Sequence, residues 1–136
     1  MIVLRGSVFF IRHRELYSPK PHFLIVLNPN LESSPYIVFG VITSGIENAK
    51  KRIAYNGQSE NTLVFLTPKD YPELDHESVI DCNTPVKLSA WEFQSSYSEF
   101  DSSQKPDMPE HICNAIVQGV LASAMVSEKI KKLLTL

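Results

Sequence analysis

The sequence predicts a mostly β fold: a small antiparallel β-barrel or strongly curled sheet, with a C-terminal α-helix. Three observations carry that expectation. Short runs of β-branched and aromatic residues recur between Val3 and Leu88, the pattern of closely spaced strands. The connections between them are short and rich in Pro and Asn, with little room for the crossover helices of a parallel sheet. From Glu110 onward the apolar residues switch to helical spacing.

Taken in order, Val3–Arg12 is apolar and β-rich, with Gly6-Ser7 as the point where its regular part starts. His22–Leu27 follows and ends at Asn28-Pro29-Asn30, a turn signal because Pro fixes φ and Asn tolerates the left-handed region. Tyr36–Thr43 is aromatic and β-branched with Gly40 inside it, the mark of a bulge or bend. Thr62–Thr67 closes at Pro68, and Val79–Asp81 and Val86–Leu88 are two shorter strands kept apart by Pro85. The stretch 95–109, rich in Ser, Asp, Gln and Pro, reads as a connector loop between a barrel at 1–94 and a helix at 110–134. Pro109 and Glu110 suit the start of that helix, and Lys129, Lys131 and Lys132 its end. Gly119 inside it costs about 1 kcal/mol relative to Ala, a cost that close packing against the sheet would explain.

A chain of 136 residues fits a single domain. With 43% apolar and 21% charged residues it does not have the composition of a disordered protein. Its apolar runs are far shorter than the ~20 residues of a membrane span. Arg5 interrupts Met1–Leu4 before a signal-peptide core can form, so a cytoplasmic location without membrane contact is expected. Cys82 and Cys113 form no Cys-x-x-Cys pair and no zinc spacing. They read as buried, inert thiols, and neither a metal nor another cofactor is expected. The net charge of -2 divides unevenly: residues 1–58 carry seven Lys/Arg against three acids, and residues 59–136 six against twelve. A basic half hints at an anionic partner, although asymmetry along a chain need not survive folding.

Several features then coincide. Gly6-Ser7-Val8-Phe9-Phe10-Ile11 opens the chain, Lys20-Pro21-His22 leads into an apolar strand, and Tyr36–Ile42 ends in Thr43-Ser44. Leu74-x-x-Glu77-Ser78-Val79-Ile80-Asp81 and an apolar C-terminal helix complete the series. This order resembles the MazF/PemK family of toxin endoribonucleases from bacterial toxin–antitoxin systems. The resemblance implies a barrel of the Src-homology-3 type, a homodimer, metal-independent cleavage of single-stranded RNA, and an antitoxin protein as partner. Family members usually carry Arg before the proline and an acid after the first glycine, where this chain has Lys20 and Ser7. Arg and Lys are not equivalent in planar, bidentate contact with phosphate.

Cleavage of RNA without a metal needs a base for the 2′-hydroxyl proton, an acid for the leaving 5′-oxygen and cations on the phosphate. The segment Arg12-His13-Arg14-Glu15 to Lys20-Pro21-His22 is the densest supply of such groups. The resemblance assigns the phosphate to Lys20 with Arg12 or Arg14, proton transfer to His22 or His13, and phosphate positioning to Thr43 and Ser44. Each also has a plain structural alternative, a solvated loop for the first segment and a strand-to-turn cap for Thr43-Ser44. Lys50, Lys51 and Arg52 are candidates for sequence-independent phosphate contact, or simply a solvated loop. Asp81 reads as a base or, more simply, as an outward polar residue of a strand. His76, in an acidic stretch, and His111 read as surface. Trp91, Phe93, Tyr97 and Phe100 are base-stacking candidates whose simpler assignment is core or subunit interface. The competing function is a non-catalytic RNA- or protein-binding module on the same barrel, encoded by a mobile element.

Overall fold

The computed structural model describes residues 2–12, 20–99 and 102–135. His13, Arg14 and Phe100 lie outside the described residues. Seven strands form one antiparallel sheet: β1 (Val8–Ile11), β2 (His22–Val26), β3 (Tyr36–Thr43), β4 (Leu63–Leu66), β5 (Ser78–Asp81), β6 (Val86–Ser89) and β7 (Ser103–Lys105). Four helices join them among the described residues: α1 (Ile46–Tyr55), α2 (Ala90–Glu99), α3 (Glu110–Ala122) and α4 (Glu128–Thr135).

The sheet runs β4-β5-β3-β2-β1-β7, so β4 and β7 are its two ends, and β6 pairs with β3 off this path. The first half of β3 faces β6, with Phe39 opposite Val86, while its end faces β5, with Ile42 opposite Ile80. Residues 82–85 between the two short strands are spliced out of the ladder, as Pro85 implies. Gly40 sits at this change of partner. A Cβ there would stand 3.3 Å from Ile80 and 3.4 Å from Ile116 of α3, so the glycine lets the helix approach the sheet.

Both faces of the sheet are covered, which is why its strands read as almost unbroken apolar runs. On one face Val8, Ile25, Val38, Ile42 and Ile80 meet Ile112, Ile116 and Val120 of α3 and Leu134 of α4. On the other, Phe9, Leu24, Val26 and Phe39 meet Phe93 of α2, whose ring sits edge-on to Phe9 at 4.9 Å. The core assignment of Phe93 therefore holds, and Tyr97 packs beside it at 5.9 Å from Phe9. Trp91 is exposed on the same helix.

Four expectations about elements are corrected. The stretch around Lys50-Lys51-Arg52 is not a loop but α1, which buries Ala49 and Ile53 one turn apart. It ends in a Schellman turn, with Gln58 N donating to Ile53 O, Gly57 N to Ala54 O, and Gly57 at φ +66°. The connector expected at 95–109 instead holds the end of α2 and the strand β7. α2 begins in a capping box: Ser89 Oγ accepts from Glu92 N at 3.1 Å while Glu92 Oε1 accepts from Ser89 N at 2.9 Å. The helix expected at 110–134 is two helices. Ser123 turns extended, and its buried hydroxyl donates to Asn83 Oδ1 at 2.5 Å while accepting from Met125 N, which ends α3. The first strand is also shorter than its apolar run, because Leu4–Ser7 forms a turn around Gly6 at φ +94°.

Candidate active site

Strand register brings three separated stretches of sequence to one place. β2 and β3 are antiparallel with Phe23 opposite Ile42, so the start of β2 lies beside the end of β3. Thr43 in turn pairs with Val79, which sets the entry to β5 alongside. A cavity of about 210 Å³ opens where these ends meet. Phe10, Phe23, Ile42 and Leu74 supply its apolar lining, and Lys20, His22, Thr43, Ser44, Asp75, His76 and Ser78 its polar groups. The rings of Phe10 and Phe23 lie 4.7 Å apart across the β1–β2 pair.

All four residues proposed for the chemistry, Lys20, His22, Thr43 and Ser44, line this cavity. The Nδ1 of His22 is 3.4 Å from the Ile42 carbonyl. A carbonyl only accepts, so this contact puts a proton on Nδ1 and leaves Nε2 as the lone-pair nitrogen of the neutral ring. That Nε2 is buried and has no hydrogen-bond partner among the described residues. Thr43 Oγ1 accepts from Gly45 N at 3.1 Å, which is the expected strand-to-turn cap. Its own proton is not used in that bond, so the hydroxyl can serve the turn and donate into the cavity together.

The outlying candidates are dispersed. Arg12 is exposed just beyond the end of β1. Lys50 and Arg52 engage other parts of the protein: Lys50 Nζ is 3.9 Å from Glu47 and 5.8 Å from the Phe65 ring, and Arg52 Nε is 3.3 Å from Asp81 Oδ2. Arg12, Lys50, Lys51 and Arg52 are not among the residues lining the cavity. Asp81 is buried rather than outward. It accepts from Asn83 N at 3.0 Å and Asn83 Nδ2 at 2.9 Å, and Asn83 Nδ2 reaches Thr62 Oγ1 at 2.8 Å. The charge of Asp81 is spent on this network, away from the cavity.

Sequence reasoning missed Asp75, His76 and Ser78 as lining residues. The available signal was the segment Leu74-x-x-Glu77-Ser78, whose buried ends hold an exposed Asp75-His76 between them. Among the described residues no three His, Cys, Asp or Glu side chains converge as metal ligands. No helix among them is long and apolar enough to cross a membrane. Both cysteines are buried as expected. Burial pushes the Cys82 thiol up to about 12, with the Asp81 charge adding to it, and the Cys113 thiol up to about 11.

No family model matches the sequence, and no curated protein matches it. Solved structures do. The chain is similar to an endoribonuclease in complex with its cognate antitoxin from a mycobacterial species, at 14% identity and a TM-score of 0.54, over 88% of this chain and 91% of that one. It is also similar to a MazE–MazF structure from Deinococcus radiodurans, at 10% identity and a TM-score of 0.59, over 93% of this chain and all of the other (100%). At such identities the likeness is one of architecture, and it shows that this chain has a MazF-like fold.

Proposed function

We propose that the chain is an endoribonuclease toxin of a toxin–antitoxin system that cuts single-stranded RNA without a metal. The observation that carries this reading is the convergence of Lys20, His22, Thr43 and Ser44 on one cavity of a MazF-like fold. Lys20 holds the scissile phosphate as a point charge. His22 Nε2 takes the 2′-hydroxyl proton, and the hydroxyls of Thr43 and Ser44 donate to phosphate oxygens. The exposed Arg12, Lys50 and Lys51 attract the flanking backbone without reading sequence. Arg52, tied to Asp81, takes no part in this.

The same reading makes the sheet an open barrel of the Src-homology-3 type in a single domain. It makes the protein a cytoplasmic homodimer that an antitoxin silences. Both similar structures are described with an antitoxin or MazE present, which supports that partner.

The test is purified protein with a mixed RNA pool in EDTA, read for fragments ending in 2′,3′-cyclic phosphate. Lys20→Ala and His22→Ala are each expected to slow cleavage about 10²–10⁴-fold, the scale of a positioned acid–base or charge-stabilising group. Salt-sensitive RNA binding with no fragments would instead favour the binding module.

A further inference from the structure

A cavity with one assigned imidazole holds a second. His76 lines the same pocket as Lys20, His22 and Thr43, from the opposite side of the β3 end. Its segment is fixed at both ends. Leu74 is buried, its N–H bonds to Tyr71 O at 3.1 Å, and the Tyr71 hydroxyl donates to Pro106 O at 2.6 Å. Beyond it, the buried Ser78 donates its hydroxyl to the carbonyl of His76 at 3.0 Å. The backbone carrying His76 is thus held between two anchors while its side chain stays exposed at the rim.

We infer that His76 is the general acid that protonates the leaving 5′-oxygen, opposite His22. The inference rests on the nuclease reading above and completes it. In-line attack of the 2′-oxygen on phosphorus forms the 2′-O–P bond and breaks the P–O5′ bond. The 2′-hydroxyl proton goes to His22 Nε2 and a proton from His76 goes to O5′. The products are a 2′,3′-cyclic phosphate and a 5′-hydroxyl, so no co-reactant is needed. Among the groups lining the cavity the assignment follows by chemistry. As side-chain classes, carboxyls are ordinarily ionised at neutral pH, and hydroxyls and ammonium groups are weak acids there. Imidazole is the side chain that both holds and releases a proton near neutrality. His22, with Nδ1 committed to Ile42 O, is arranged to accept.

A substrate with sulfur in place of the scissile 5′-oxygen separates the roles, since a thiolate leaves without protonation. The enzyme would be given matched oligonucleotides, with oxygen or bridging sulfur at a mapped cleavage position. His76→Ala is expected to lose about 10²-fold or more on the oxygen substrate and to cut the sulfur substrate within a few-fold of wild type. His22→Ala should be slow on both. Equal losses by His76→Ala on both substrates, or none on either, would overturn the assignment while wild-type cleavage left the nuclease reading standing. Failure of the wild-type protein to cut either substrate would sink the nuclease reading itself, and the role of His76 with it. His76→Gln, which keeps a polar side chain of similar reach, should behave as His76→Ala if the proton is what matters.

Discussion

Gly119 of α3 packs so closely on Cys82 that a Cβ at this glycine would stand 2.6 Å from the cysteine sulfur and 3.0 Å from its Cβ. The usual stabilisation from replacing a helical glycine by alanine, about 1 kcal/mol, is therefore reversed here. Gly119→Ala should lower stability by about 1–3 kcal/mol, the cost of overpacking a core. Cys82→Ala removes the nearer atom, so the double variant should lose less than the sum of the two. Thermal unfolding of all four proteins measures that coupling.

The network below α3 predicts a different kind of loss. Asn83 is the hub that joins Asp81, Thr62 and Ser123. Asn83→Ala leaves those buried groups short of partners, at about 1–3 kcal/mol for each one unpaired. Urea unfolding should show the drop. Ser123→Ala should show a smaller one, together with faster amide exchange at Met125, whose N–H bonds to the Ser123 hydroxyl.

Arg5 ties the first turn of the chain to its last helix. Its Nε donates to Leu27 O and its Nη2 to Leu134 O, each at 2.6 Å. A cation on the carbonyls at the end of α4 also suits the helix dipole. Arg5→Met keeps the apolar stem but loses both bonds. It should cost about 1.5–3 kcal/mol per charged hydrogen bond lost at most, with exchange protection falling first in α4.

The two thiols set an alkaline limit. Their folded pKa values, about 12 for Cys82 and about 11 for Cys113, lie above the ordinary value of 9.0. Each therefore favours the native state fully below pH 9, and that contribution falls as the pH rises towards the folded value. Stability should decline above pH 9, and less steeply in Cys82→Ala/Cys113→Ala. At pH 8 a thiol reagent should label both cysteines only as fast as the protein unfolds.

Thr43 tests whether its hydroxyl does more than cap a turn. Thr43→Ser keeps both the acceptor for Gly45 N–H and the donor into the cavity, and on the proposed nuclease reading should keep RNA cleavage within a few-fold of wild type. Thr43→Val removes both and should reduce cleavage about 10²-fold or more, the scale of one lost transition-state donor. Its stability cost should be about 1 kcal/mol, measured alongside by thermal unfolding.

The strands were legible because both faces of the sheet are buried, which makes β2 and β3 stand out as unbroken apolar runs. The helices were less so. α1 was hidden by the charges of Lys50-Lys51-Arg52, although Ile46, Ala49 and Ile53 carry its buried side and Asn56-Gly57 its stop. α2 was hidden by its serines, although Ser89-x-x-Glu92 announces its start. The division of α3 from α4 could not be read locally, because it depends on Asn83 drawing in a serine 40 residues away in sequence. Half the candidate site was readable for a related reason. Lys20-Pro21-His22 and Thr43-Ser44 are marked by chemistry at strand ends, whereas His76 matters only because β5 pairs with β3.

That pairing has a consequence for the chain as it is made. The cavity draws on Phe10, on residues 20–23 and 42–44, and on residues 74–76 with Ser78, and no two of these groups adjoin in sequence. A ribosome must have released β5 before the cavity has its third wall, so no earlier segment of the nascent chain can assemble it. On the nuclease reading proposed above, strand order alone would hold back the activity until that segment has folded.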